Sequence, residues 1–94
     1  MALIRKTMRV GGRETCVALE PQFWACLAEL AAERRVSVVA LVGQVAAARP
    51  AGVGLASALR TFALAEVLAE VLEQMRRGRQ EQERRPPGGR DEVA

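Results

Sequence analysis

Few residues in this chain could do chemistry, and most of them point to binding rather than catalysis. Arg5, Lys6, Arg9 and Arg13 precede the first acid, Glu14. A basic edge of that kind attracts polyanions, of which nucleic acid is the commonest. Cys16 and Cys26 lack metal-ligand spacing and the chain has no histidine, so no metal site is expected. Glu66, Glu70 and Glu73 recur one helical turn apart and read as the wet side of a helix, since no histidine or metal partner accompanies them. With 94 residues, no nucleophile elbow and no phosphate-binding loop, neither an enzyme nor a cofactor is expected.

These residues need elements to hold them. Arg13–Leu19 alternates as a strand does, with Thr15, Val17 and Leu19 on one face and Glu14, Cys16 and Ala18 on the other. It runs directly into a helix whose first turn accepts Pro21, because the missing N–H would be unpaired there anyway. A lone strand leaves its backbone groups unsatisfied. Unless another strand in the chain completes a sheet, it must pair with a second chain. Residues 1–12 form a basic arm, and Lys6 to Val10 is fit to be extended. The Gly11-Gly12 turn signal leaves open a local hairpin against 13–19. Extended, the arm would carry Arg5, Thr7 and Arg9 on one face and Ile4, Met8 and Val10 on the other.

The first helix is expected over 21–35, with Phe23, Leu27, Leu30 and Ala31 on its apolar stripe and Trp24 on the flank. Arg34 and Arg35 sit where a helix C-terminus welcomes positive charge. Ser37 reads as the N-cap of a second helix, Val38 to about Ala48, striped by Val38, Leu41, Val42 and Val45. Arg49-Pro50-Ala51-Gly52 ends it. The third helix, 55–77, carries Leu55, Leu59 and Phe62 on one stripe. Leu64, Val67, Leu68, Val71, Leu72 and Met75 widen that stripe, and so broad an apolar surface predicts burial on two sides. Residues 78–94 lack periodicity and read as a disordered tail. The net charge is +3. No apolar run is long enough to span a bilayer, and Arg5, Lys6 and Arg9 interrupt any signal-peptide stretch. The expectation is a cytoplasmic protein without a membrane partner.

The chain resembles the ribbon-helix-helix proteins, the superfamily of Arc and the methionine repressor. It is most similar to a bacterial subgroup reading R-T-S-V-x-L-E-P-x-F-W-x-x-L, then A-A-E-R, S-x-x-x-L-V and S-A-L-R-x-F-x-L. The matching residues are Thr15, Val17, Leu19, Glu20, Pro21, Phe23, Trp24 and Leu27, then Ala31 to Arg34, then Ser37, Leu41 and Val42. Ser57 to Arg60, Phe62 and Leu64 complete the match.

The resemblance implies a mainly α fold with one short strand. Two copies would intertwine through an intersubunit antiparallel two-stranded ribbon, with the third helix added and the domain spanning residues 13–77. It further implies a homodimeric transcriptional regulator that lays its ribbon in the major groove of double-stranded DNA. On that reading Glu14, Cys16 and Ala18 face the groove. Ser37 and the N–H groups of Val38 and Val39 hold a phosphate. Arg5, Lys6, Arg9 and Arg13 add phosphate contacts. Cys16 would lie near the dyad, facing its own copy. The outer strand face carries an acid, a thiol and a methyl where bidentate readers are usual. An alternative therefore stands beside this reading: a dimerisation or protein-interaction module, antitoxin-like, with a protein partner on the third helix.

Overall fold

A computed structural model describes residues 2–84. The element order is β1 (Ile4–Val10), β2 (Arg13–Leu19), α1 (Pro21–Glu33), α2 (Val38–Ala48) and α3 (Leu55–Arg84). Of the two fates open to the arm, the structure takes the hairpin. β1 and β2 pair antiparallel from Val10↔Arg13 at the turn to Ile4↔Leu19 at the far end. Gly11 and Gly12 close the turn with φ of 60° and 82°. Successive positive φ values define the two-residue turn whose twist matches the flanking strands, and glycine reaches them without a Cβ penalty. The strand expected to depend on a second chain thus has one edge satisfied within its own.

The hairpin's inner face joins Val10, Val17 and Leu19 to a core completed by Trp24, Leu27, Ala31, Leu41, Val42, Leu59 and Ala63. α2 packs beneath β1 and α3 beneath β2, while α1 contacts both helices. Trp24, on the flank of the α1 stripe, is a buried core residue. Its indole Nε1 donates to the carbonyl of Ile4 at 2.8 Å, which ties the start of β1 to α1.

α1 ends at Glu33 rather than Arg35. Arg35 adopts φ 59°, with its N–H on Ala32 O and that of Val36 on Ala31 O. That is the reverse turn that often closes helices, here with arginine where glycine is usual. Ser37 caps α2 as expected, its Oγ accepting from the N–H of Ala40 at 3.0 Å.

α3 departs most from expectation. It passes Gly78, where the sequence reading began the tail, and runs to Arg84. The strong helix formers Arg, Gln and Glu around Gly78 offset the roughly 1 kcal/mol that glycine costs. Residues 85–94, the rest of the expected tail, lie outside the described residues. Only the first half of α3 packs on the body, through Leu59 and Ala63. The second apolar stripe, expected to be buried, is exposed from Leu64 to Met75. The projecting helix accounts for extents of 66 × 28 × 26 Å.

Candidate nucleic-acid interface

The hairpin register decides which predicted side chains come together. Directly opposed residues share a face of a sheet. Arg5 lies opposite Ala18, Thr7 opposite Cys16 and Arg9 opposite Glu14. The outer face therefore joins Arg5, Thr7 and Arg9 to Glu14, Cys16 and Ala18, and all but Ala18 are exposed. β1 supplies to this face the cations that Glu14, Cys16 and Ala18 do not. Arg9 and Glu14 oppose each other without a direct ion pair among the described residues.

Lys6 and Arg13 do not join this group. Lys6 is opposite Val17, on the face that looks inward. Its Nζ sits 5.2 Å from the centroid of the Trp24 ring, a cation–π contact at the rim of the core. Arg13 is opposite Val10 at the turn.

Ser37, Val38 and Val39 lie apart from the hairpin in sequence, at the start of α2. The Ser37 hydroxyl serves the N–H of Ala40, and the N–H of Leu41 bonds the carbonyl of Ser37. The N–H groups of Val38 and Val39 have no partner among the described residues, and Ser37 and Val39 are exposed. Unpaired N–H groups at a helix start, with the positive dipole end behind them, suit an anionic oxygen.

Two ion pairs fasten α1 to α3. Arg60 Nε donates to Glu20 Oε1 at 2.9 Å, joining the entrance of α1 to α3, and Arg60 also lies over the Phe23 ring. The hydrogen bond from Arg60, and then one from Glu20's own backbone, hold the Glu20 carboxyl below the ordinary glutamate value. Arg34 bonds Glu66 at 2.8 Å and covers the Phe62 ring, which fastens the end of α1 to α3. Sequence reasoning assigned Arg34 to the helix dipole and left Glu20 without a partner. The only signal available was that Glu20 and Arg60 both lie in the quoted motif blocks.

Cys16 is exposed, and Cys26 is half-buried with its Sγ 4.0 Å from Ala63 O. Burial, then the charges of Glu29 and Glu66, push the Cys26 thiol up. Among the described residues no group of histidine, cysteine and carboxylate side chains could hold a metal. No described helix is long and apolar enough to cross a membrane.

A hairpin with a basic outer face over two helices, the second capped by serine, defines the class. The chain belongs to the ribbon-helix-helix domain family, whose match covers residues 3–67, from the hairpin into the first half of α3. Membership supports a DNA-binding or regulatory role in general, in a family that generally forms dimers. No curated protein and no solved structure gives a significant match to the chain.

Proposed function

We propose that the chain is a homodimeric, DNA-binding transcriptional regulator in which two hairpins form one continuous sheet. With Val10 and Arg13 flanking a two-residue turn, alternate residues from Arg13 onward bond to β1. The N–H and C=O groups of Glu14, Cys16 and Ala18 therefore point to the free edge of β2. The same edge of a second copy, antiparallel about a dyad at Cys16, satisfies them. The strand order becomes β1-β2-β2′-β1′, so the intersubunit ribbon is its central pair.

Strand spacing then assigns the contacts. Neighbouring strands lie about 4.8 Å apart, so the two β1 strands are separated by about 14 Å, slightly more than the roughly 12 Å width of the major groove. The central pair enters the groove with Cys16 and Ala18 toward the base edges. The outer strands ride over the bordering phosphates, where Arg5 and Arg9 bind. Val38 and Val39 N–H groups at the Ser37 cap hold a further phosphate. Cys16 and Ala18 offer only apolar contact to a thymine methyl, so affinity rests on phosphates more than on base readout. The observation that carries this reading is the register that sets Arg5 and Arg9 on the same face as Cys16.

Fluorescence anisotropy with duplex DNA at low salt tests it, since phosphate-driven binding is strongest there. The wild-type chain binds, and failure to bind refutes the proposal. Cys16→Pro blocks the free edge of β2 while leaving the hairpin's own bonds intact, and it lowers both dimerisation and DNA affinity. The alternative of a protein-interaction module draws on the outer face of β2, which lacks bidentate readers, and on the exposed stripe of α3. A stable foreign partner together with absence of low-salt DNA binding would favour it.

A further inference from the structure

Leu64, Leu68, Val71 and Met75 recur on α3 at alternating spacings of four and three residues, with Val67 and Leu72 beside them. All six are exposed, from 43% at Val71 to 61% at Met75. The stripe is turned away from Leu59 and Ala63, which face the core. Most of it lies past residue 67, where the family match ends, so the ribbon-helix-helix domain does not account for it. Spacing of this kind is the seam of a two-helix coiled coil, in which each apolar side chain enters a gap on a facing helix.

We infer that this stripe is covered by the same stripe of a second copy of the chain, with the two α3 helices running antiparallel.

Three features favour a second copy. At roughly half exposure, the six side chains offer on the order of 500 Å² per copy, or about 1,000 Å² between two, where specific interfaces begin. The seam is also symmetric about the point midway between Leu68 and Val71. An antiparallel copy sets Leu64 against Met75, Thr61 against Gly78 and Ser57 against Gln82. Small or polar residues thus meet at both ends and aliphatic residues meet in the middle, which is the self-complementarity a two-fold interface requires.

Charge agrees with this arrangement. Glu81 has no cationic partner among the described residues, and the antiparallel helix brings alongside it Arg60 of the other copy, whose Nε holds Glu20 and whose terminal nitrogens remain to bridge a second carboxylate. Glu66, Glu70 and Glu73 lie off the seam. Glu66 is neutralised by Arg34, and Glu73 by Arg76 and Arg77. No like-charged pair therefore opposes the contact.

Sedimentation equilibrium of the full chain at micromolar concentration tests the inference. Leu68→Lys combined with Met75→Lys weakens self-association at least tenfold, while far-UV circular dichroism and Trp24 emission stay as in the wild type, because both sites are exposed. Unchanged association overturns the inference. Repeating the pair in the Cys16→Pro background separates this seam from the proposed β2 contact. The Cys16→Pro chain dimerises more weakly than the wild type but still does so at micromolar concentration, and adding the two lysines makes it a monomer. A monomeric, folded Cys16→Pro chain refutes the α3 seam and leaves the ribbon reading standing. Glu81→Arg weakens association severalfold if the helices are antiparallel, and no change refutes that orientation. Occupancy by a foreign protein instead would appear as a wild-type mass insensitive to all the α3 substitutions, which also overturns the inference.

Discussion

Replacing Arg5 and Arg9 together by alanine separates phosphate-driven binding from every other explanation of the basic hairpin. Two copies present four such guanidinium groups on one face of the proposed sheet. Each neutralised phosphate contributes a slope of about −0.9 to log affinity against log salt, so these four account for about −3.6. Between 50 and 200 mM salt that slope corresponds to a loss of on the order of 150-fold in affinity. The double variant should lose this component, leaving a shallower slope set by the α2 N-terminus and any remaining contacts. Lys6→Ala is the internal control. Lys6 lies on the other face, over Trp24, and its removal should leave the slope unchanged. Anisotropy titrations of a labelled duplex across that salt range read all three chains. Because Arg5 and Arg9 are assigned to phosphates, affinity should fall equally for unrelated DNA sequences. A slope unmoved in the double variant, or moved as much by Lys6→Ala, would refute the assignment of the two faces.

Other consequences concern the frame that holds the hairpin. Trp24→Phe keeps most of the packing but removes the bond to the Ile4 carbonyl, and should cost about 1 kcal/mol in urea denaturation. Trp24→Ala should cost about 3–5 kcal/mol. Arg35→Gly relieves a left-handed residue at the end of α1 and should raise stability by about 0.5–1 kcal/mol, read as a higher denaturation midpoint. Glu20 carries a depressed pKa through its bond from Arg60. Its stabilising effect is complete above the unfolded value of about 4.3 and drains away as pH falls through the lower folded value. Glu20→Gln should flatten that acid limb of the stability profile, by a small amount because both side chains are one-third exposed.

Much of the architecture was readable before any coordinates. Alternation over Arg13–Leu19, Pro21 at a helix start, Ser37 at a cap and the Pro50–Gly52 break all act through nearest neighbours. A residue's local preferences and its period of burial are properties of a short window, so these elements and their faces followed from it. The added third helix was legible for the same reason, although its end was not. Gly78 is a weak stop, and neighbouring propensities carried the helix past it.

The remaining features depended on what lies opposite in space. Gly11-Gly12 permitted a turn, but only pairing of β1 with β2 made the arm a strand and sorted Arg5 and Arg9 from Lys6. The Trp24 indole found its partner only because the start of β1 came near enough for the Ile4 carbonyl to accept its N–H. Glu20 found Arg60, and Arg34 found Glu66, across stretches that no local period connects. Sequence alone determined which segments are strand or helix and which side of each is apolar, because backbone preference and hydrophobic period are short-range. Tertiary structure alone decided which charges share a face, which are spent on ion pairs and which apolar stripe stays exposed, because those outcomes depend on distances between residues far apart along the chain.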